Sequence, residues 1–279
     1  PVRATDDMSK RAIFIRSGGL GDFVLTLPAL RRALDLYDET ILFTRTAYHS
    51  LLCDYSNSLT LKDVDSDLEA LGQVLPDSDV ITFWQDEEWK RELMAGGCRN
   101  LYFLESRPAG NTHFSAAMFS KLGWDWLEGY SKRAWIGDHW SGGSTLLWVH
   151  PGSGSVKKNA PLPQFVGLAR KWLDAKTVNR VTFSFGEADS EVRSDFERLE
   201  ISKDRRVQVV RSVDLGELKT RMADQAAVFL GNDSGPGHLA ASLGVPTRIV
   251  FRSTERKIWS PLGPRVETYE SFSEASKIL

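Results

Sequence analysis

Short apolar segments of strand length alternate with segments of helical period along most of the chain. An apolar run at residues 11–16 passes through a glycine-rich turn into a segment whose leucines recur at helical spacing as far as Tyr37. Similar pairs continue to residue 104, begin again at residue 145 and end near residue 251. Alternation of this kind is typical of mostly parallel sheets with helices on both faces. The sequence therefore predicts an α/β fold.

The alternation weakens over residues 107–143, a stretch rich in Trp, Gly and Ser. We therefore expect two Rossmann-like, doubly wound domains that face each other across a cleft, with ligands bound beyond the carboxyl ends of the strands. The expected limits are 1–140 for the N-terminal domain, 141–265 for the C-terminal domain, and 266–279 for a C-terminal helix that could pack back on the first domain.

Composition excludes several classes of protein. The formal net charge is −2, which argues against a nucleic-acid-binding protein, since such proteins carry a basic surface. Cys53 and Cys98 lie far apart in unrelated contexts, and reduced thiols in a cytoplasmic protein are favoured over a lone disulfide. The sequence shows no run of transmembrane length and no apolar signal core at its start. We expect a cytoplasmic location.

The first turn of interest has the sequence SGGLGD and follows the first predicted strand. Its glycines, Gly18, Gly19 and Gly21, are candidate substrate-binding residues. They lack the G-x-G-x-x-G spacing of a dinucleotide site, and no acidic residue ends the second strand. Asp22 has two interpretations. It can be an acid that stabilises a helix N-terminus, or a carboxylate that accepts a proton from a substrate.

The second turn, at residues 150–155, is followed by Lys157 and Lys158. Its small residues, Ser153, Gly154 and Ser155, together with an ammonium group, suit phosphate oxygens because they combine hydroxyl and backbone N–H donors with a positive charge. An ordinary polar loop with surface lysines is the alternative.

The third turn lies between a predicted strand and a short helix of small residues. It contains the five candidates Asp233, Ser234, Gly235, Gly237 and His238. A helix N-terminus preceded by glycines binds anions well, because unpaired N–H donors and the positive end of the helix dipole point the same way. His238 could bind phosphate or simply pack under the loop.

Two further observations concern ligands. Glu187 follows another predicted strand and could bind a ribose, or could be an acid in the first turn of a helix. The five histidines are scattered and H-x-x-x-H does not occur, so we predict no metal site.

The three turns, in this order, resemble glycosyltransferase family 9, the ADP-heptose:lipopolysaccharide heptosyltransferases. The matching segments are R-x-G-G-L-G-D-x-V-L-T-L-P-A-L at 16–30, H-P-G-S-G-S-x-x-K at 150–158 and G-N-D-S-G-P-G-H-L-A-A-S-L-G-V-P-T at 231–247. The resemblance covers nearly the whole chain, although its specificity is concentrated in these three segments.

The resemblance implies a GT-B architecture with the acceptor in the first domain, the nucleotide sugar in the second, no cofactor and no essential metal. It places Asp22 on the family's catalytic base, Ser153 and Ser155 in its phosphate loop, Lys158 on its lysine, Glu187 near its ribose-binding acid, and Asp233, Ser234, Gly235, Gly237 and His238 on its diphosphate and sugar segment. The family usually has Trp-Pro soon after the lysine. Here Asn-Ala-Pro follows at 159–161, so either Lys157 or Lys158 could be the matching residue.

The function implied is inverting, metal-independent transfer of a sugar, with ADP-heptose as the expected donor, to a hydroxyl of a lipopolysaccharide-core or other glycan acceptor. A GT-B-fold nucleotide-sugar epimerase and a non-catalytic nucleotide-sugar-binding protein are the alternatives. A lipid-linked acceptor would bring the protein to the inner face of the bacterial inner membrane as a peripheral protein. The sequence leaves open the acceptor, the nucleotide base (ADP, UDP or GDP) and the oligomeric state.

Overall fold

The structure is a computed structural model that describes residues 10–142, 144–211 and 214–274. The strands within this part of the chain are β1 (Arg11–Arg16), β2 (Glu39–Thr44), β3 (Leu59–Asp63), β4 (Ser78–Thr82), β5 (Asn100–Phe103), β6 (Leu146–His150), β7 (Arg180–Phe185), β8 (Val207–Arg211), β9 (Ala226–Asn232), β10 (Thr247–Val250) and β11 (Val266–Tyr269). The α-helices are α1 (Leu20–Leu36), α2 (Thr46–His49), α3 (Leu71–Val74), α4 (Glu87–Ala95), α5 (Phe114–Lys121), α6 (Leu162–Asp174), α7 (Ser190–Glu197), α8 (Leu215–Gln225), α9 (Gly235–Ser242) and α10 (Arg256–Trp259).

The strands form two sheets. One has the order β3-β2-β1-β4-β5 and the other the order β11-β10-β9-β6-β7-β8. All of the strand pairs within them are parallel. The predicted α/β fold with two doubly wound parallel sheets is therefore confirmed.

The chain divides into two compact units, each of which contains one sheet. Unit 1 comprises the residues up to Gly18, Thr26–Ala109 and Ser115–Trp126. Unit 2 comprises Gly19–Leu25, Gly110–Phe114 and the chain from Leu127 onward, so the first turn of α1 groups with the six-stranded sheet. The units are interleaved along the chain, whereas the domain limits expected from the sequence are continuous, and those limits remain a prediction.

Each sheet is buried because helices cover its faces, as expected for parallel strands. In unit 1, alternate positions of the central strand, Ile13 and Ile15, pack with Ile41 and Phe43 of the neighbouring strand. The corresponding core of unit 2 includes the side chains Leu147, Val149, Phe165, Ala169, Trp172, Phe183 and Phe196. The longest apolar segments of the sequence thus become the inner strands of the two sheets.

Helix α1 differs from expectation at its start. Because Pro28 lies within the leucine-rich segment, the sequence favours a helix that begins near Pro28 or is kinked there. The observed helix instead begins at Leu20 and contains Pro28 in its interior. Burial of Phe23, Val24 and the following apolar residues offsets the one backbone hydrogen bond that proline cannot donate.

The C-terminal part of the chain also differs from expectation. Val266–Tyr269, which the sequence assigns to a C-terminal helix, forms β11 and pairs in parallel with β10. The β-branched residues Val266 and Thr268 suit this edge position. Phe272 packs edge-to-face on Phe165 of unit 2. Residues 272–274 are helical, as predicted, and the rest of the predicted helix, residues 275–279, lies outside the described residues.

Within residues 10–142, 144–211 and 214–274, none of the helices combines the length and the apolarity that crossing a membrane requires.

Candidate functional site

Two neighbouring strands of unit 2, β6 and β9, end side by side and are joined there by Asn232. Its side-chain carbonyl accepts a hydrogen bond from the backbone N–H of Ala160 at 2.8 Å, and its amide donates to the carbonyl oxygen of Pro151 at 2.7 Å. Asn232 is fully buried, and both ends of its amide are satisfied, as a buried polar group requires. This residue brings the second and third turns of the sequence analysis together, a role that the motif alone does not reveal.

Asp233 is the next residue and pairs with Lys158. The lysine Nζ lies 2.8 Å from Asp233 Oδ2, and the Thr254 hydroxyl donates to the same oxygen at 2.6 Å. The imidazole Nε2 of His238 lies 3.5 Å from the other carboxylate oxygen. Burial alone raises the pKa of Asp233, but the contacts with His238, Lys158 and Thr254 outweigh burial and hold that pKa well below its usual range. Asp233 is therefore an ionised, buried acid.

Of the two candidate lysines, only Lys158 makes this ion pair. Lys157 precedes it in a short 3₁₀ helix (Val156–Lys158), and its side chain is exposed. Since Lys158 is also half-buried beside the third turn, the geometry favours Lys158 over Lys157 as the cation of the site.

The N-terminus of helix α9 lies beside this ion pair. Ser234 occupies the N-cap position, Gly235 and Gly237 lie in the first turn, and His238 follows them. Serine is a common N-cap residue, yet the Ser234 hydroxyl makes no side-chain cap hydrogen bond. Within the described part of the chain, the buried atoms Ser234 Oγ and His238 Nδ1 have no hydrogen-bond partner. Buried polar atoms of this kind are costly unless a ligand satisfies them.

The first turn of α1 packs against the same helix terminus. A Cβ atom added to Gly21 would lie 3.0 Å from the His238 ring, so glycine allows the close approach of the backbone at this position. Asp22 is the next residue and is half-buried in the first turn of α1. The structure thus brings the first and third turns together within unit 2.

The other two glycines of the first turn lie elsewhere. Gly19 is exposed, and Gly18 lies in unit 1, where its carbonyl accepts a hydrogen bond from the Tyr48 hydroxyl.

The loop after β6 is held by Ser153. Its hydroxyl oxygen lies 2.7 Å from both the Ser155 carbonyl and the Asn159 side-chain oxygen, and it accepts a hydrogen bond from the backbone N–H of Ser155 at 3.2 Å. Ser153 is buried, whereas Gly154 and Ser155 are exposed. Ser153 therefore shapes the loop, and the two residues after it are the accessible ones.

Glu187 and Asp189 lie on the turn after β7 but differ in their surroundings. Glu187 is exposed, as both interpretations of it allow. Asp189 is buried and lies 3.4 Å from the imidazole of His150. The sequence alone does not identify Asp189 as a residue of interest, because nothing local distinguishes it from an ordinary acid at the start of a helix.

In the described ranges, no three His, Cys, Asp or Glu side chains are grouped so that they could hold a metal ion. The fixed positive groups around Asp233 are instead Lys158 and the N-terminus of α9.

Solved structures of three heptosyltransferase-family proteins are similar to this chain. The heptosyltransferase WaaC of E. coli with ADP has a TM-score of 0.73 and 14% sequence identity, over 96% of this chain and 98% of that chain. A glycosyltransferase of family 9 from Veillonella parvula has a TM-score of 0.69 and 16% sequence identity, over 96% of this chain and 90% of that chain. The E. coli ADP-heptose lipopolysaccharide heptosyltransferase II has a TM-score of 0.62 and 15% sequence identity, over 93% of this chain and 89% of that chain. At these identities the likeness establishes the GT-B fold.

A search of curated proteins found no match to this sequence. The family model of glycosyltransferase family 9 (heptosyltransferase) matches residues 134–278 of the 279-residue chain, a range that contains the second and third turns. The resemblance suggested by the sequence motifs is thereby confirmed, and the chain belongs to glycosyltransferase family 9, which makes it a glycosyltransferase.

Proposed function

We propose that this protein transfers a sugar from a nucleotide diphosphate donor, with ADP-heptose as the expected donor, to a hydroxyl of a lipopolysaccharide-core or other glycan acceptor. The transfer inverts the anomeric configuration and uses protein groups rather than a metal to stabilise the leaving diphosphate. The observation that carries the proposal is the N-terminus of α9, where the buried Ser234 Oγ and His238 Nδ1 lie beside Lys158 and Asp233 and have no hydrogen-bond partner among the described residues.

The electrostatics of this site suit a diphosphate linked to a sugar. Helix α9 presents backbone N–H groups and the positive end of its dipole, and Lys158 adds a full positive charge. The ionised Asp233 accepts hydrogen bonds only, which suits the hydroxyl groups of a sugar more than phosphate oxygens. We therefore assign Lys158, Ser234 and the α9 amides to the diphosphate, and Asp233 with His238 to the sugar.

Asp22 is the proposed general base. Its carboxylate takes the proton of the acceptor hydroxyl as that oxygen attacks the anomeric carbon on the face opposite the diphosphate. The bond between the anomeric carbon and the diphosphate oxygen breaks at the same time. The contact between Gly21 and the His238 ring supports this assignment, since it brings the backbone next to Asp22 close to the sugar-binding residues.

The diphosphate gains negative charge as its bond to the sugar breaks. Donors that are already fixed toward it stabilise the transition state more than the ground state, which is the condition for faster reaction. The exposed residues Gly154 and Ser155 contact the outer phosphate in this proposal, and Glu187 binds the ribose. Related structures support an adenine nucleotide, since structures of E. coli WaaC contain ADP and ADP-2-deoxy-2-fluoro heptose.

The proposal is tested by replacing Asp22 with Asn. We expect kcat to fall by about 10²–10⁴, the usual contribution of general base catalysis, while the Kd for the nucleoside diphosphate changes little. The measurements are release of nucleoside diphosphate with a heptose-deficient lipopolysaccharide-core fragment as acceptor, and calorimetric titration of the nucleotide.

Asp35→Asn is the matched control, because Asp35 is an exposed acid on the same helix. Full turnover in Asp22→Asn would contradict the assignment of the base. A thermal-stabilisation screen of ADP, UDP, GDP and their sugars identifies the donor class, because a bound ligand raises the melting temperature. A protein that is stabilised by a nucleotide sugar but never releases the diphosphate would be a binding protein and not a transferase.

A further inference from the structure

A second buried acid lies directly beneath the loop after β6, apart from the ion pair of Asp233. Asp189 Oδ2 lies 3.4 Å from His150 Nε2, and both side chains are almost completely buried. His150 is the last residue of β6 and Asp189 ends the short 3₁₀ helix Glu187–Asp189. The pair therefore joins the ends of two neighbouring strands.

The imidazole is held on its other side by Ser184. The Ser184 hydroxyl oxygen lies 3.1 Å from His150 Nδ1 and accepts a hydrogen bond from the Trp148 indole at 2.9 Å. Burial lowers the pKa of His150 although Asp189 opposes that effect, so the ring is neutral. The adjacent carboxylate favours the tautomer with its proton on Nε2. The Ser184 hydroxyl then lies within donating distance of both Nδ1, at 3.1 Å, and the Val149 carbonyl oxygen, at 3.3 Å.

These three residue types also form the catalytic triad of hydrolases, but this arrangement is not one. Ser184 is only 4% exposed and is engaged by Trp148, whereas a nucleophile must reach its substrate. The arrangement fixes the position of Asp189 instead.

Asp189 contacts the backbone of two different loops. Its Oδ2 accepts a hydrogen bond from the backbone N–H of Gly186 at 2.7 Å, immediately before Glu187. On its other side, a Cβ atom added to Gly152 would lie 2.0 Å from Asp189 Oδ1. Gly152 belongs to the loop that continues into Ser153, Gly154 and Ser155, so a single carboxylate group touches both the phosphate loop and the turn that carries Glu187.

We propose that Asp189 is a positioning residue of the donor site, which fixes the spacing between the loop at residues 151–155 and the turn at Gly186–Glu187. This inference rests on the proposed function, in which the first loop binds phosphate and the second binds ribose. A ligand that spans both loops depends on their spacing, whereas a ligand that contacts only one loop does not. Fixing the spacing before binding removes an ordering cost that would otherwise be subtracted from the affinity.

The test compares Asp189→Asn with the native protein, using ADP, UDP and GDP in turn and then pyrophosphate alone as calorimetric ligands. Asparagine keeps the shape of the side chain and an oxygen for Gly186 but removes the charge that orients His150. We expect Kd for the nucleoside diphosphate to rise about tenfold, and Kd for pyrophosphate to change less than about twofold. The KM for the donor rises in parallel while kcat at saturating donor is kept, because Asp22 and Asp233 are unchanged.

Asp195→Asn is the matched control, since Asp195 is an exposed acid on helix α7 that pairs with Arg198. If Asp189→Asn weakened the binding of nucleoside diphosphate and of pyrophosphate equally, or weakened neither, the positioning role would be overturned. If the native protein bound none of the three nucleoside diphosphates, the proposed function itself would fail, and the two failures are thus distinguishable.

A second variant keeps the test valid if Asp189→Asn is unstable. Gly152→Ala places a methyl group where the Asp189 carboxylate lies, so it should displace that carboxylate and reproduce the selective loss of nucleoside diphosphate binding. In an Asp189→Ala background, where the carboxylate is gone, adding Gly152→Ala should weaken binding no further. If Gly152→Ala weakened nucleoside diphosphate binding equally in the native protein and in Asp189→Ala, Gly152 would not act through Asp189.

Discussion

Two buried aspartates, one in each unit, have similar burial but different surroundings. Asp79 lies near the amino end of β4 in the five-stranded sheet, and Asp233 follows β9 at the carboxyl end of the six-stranded sheet. Each is about 95% buried, and each has a pKa below its usual range. By burial and charge alone they are equivalent.

Their partners differ. Asp79 accepts hydrogen bonds from Arg99 at 2.8 Å, from Asn100 at 2.9 Å and from the Tyr37 hydroxyl at 2.7 Å. Burial alone raises the pKa of Asp79, but these three donors outweigh burial and lower it. The surroundings of Asp79 thus satisfy both of its carboxylate oxygens and join β4, β5 and the end of α1.

The surroundings of Asp233 leave atoms unsatisfied. Its partner His238 has a buried Nδ1 without a hydrogen-bond partner among the described residues, and the Ser234 hydroxyl beside it is in the same condition. Unused donors and acceptors beside a buried acid at the carboxyl edge of a parallel sheet favour ligand binding there, whereas a fully satisfied acid favours a structural role. Three predictions test this distinction.

The largest effect is expected for Asp233→Asn. The amide cannot pair with Lys158 as a carboxylate does and offers one acceptor oxygen rather than two to a sugar, so we expect kcat/KM for the donor to fall by about 10² or more. The measurement is steady-state release of nucleoside diphosphate, with a melting curve to verify folding. Activity within a few-fold of native would mean that Asp233, like Asp79, is structural.

Asp79→Asn should give the opposite pattern. Loss of the charge-assisted hydrogen bond from Arg99 and of the Tyr37 contact should lower the free energy of unfolding by about 1–3 kcal/mol, measured by urea denaturation. Turnover of the folded enzyme should stay unchanged, because the residue lies at the amino end of its strand. A specific fall in turnover without a loss of stability would remove the contrast between the two aspartates.

The smallest effect concerns pH. An aspartate whose folded-state pKa is lowered contributes stability above its unfolded pKa of about 3.9 and loses that contribution as the pH falls through the folded value. The free energy of unfolding of the native protein should therefore exceed that of Asp79→Asn by a constant amount from pH 7 to about pH 5, and the difference should narrow as the pH falls below about 4. Urea titrations at these pH values measure the difference, and a difference that widened on acidification would contradict the lowered pKa.

The sequence by itself determined most elements of the fold, although it did not predict the start of α1 or the strand Val266–Tyr269. Apolar runs of strand length identify the inner strands, because parallel strands are buried on both faces and their side chains must be apolar throughout. The sequence also predicts the glycine-rich turns, since each lies directly between a predicted strand and the next predicted helix. The resemblance to family 9 could be read from those same turns, because the residues that match lie close together in the chain.

Only the tertiary structure decided which of these residues meet. The contact of Gly21 with His238, the bridge made by Asn232 and the position of Asp189 beneath Gly152 each join residues that are distant in sequence. Such contacts depend on strand order and on close packing between elements, whereas sequence periodicity reports only on the neighbours within one element. The same reason explains the strand at Val266–Tyr269. Its backbone pairs with β10, and a four-residue segment does not show in its own sequence that such a partner strand is available.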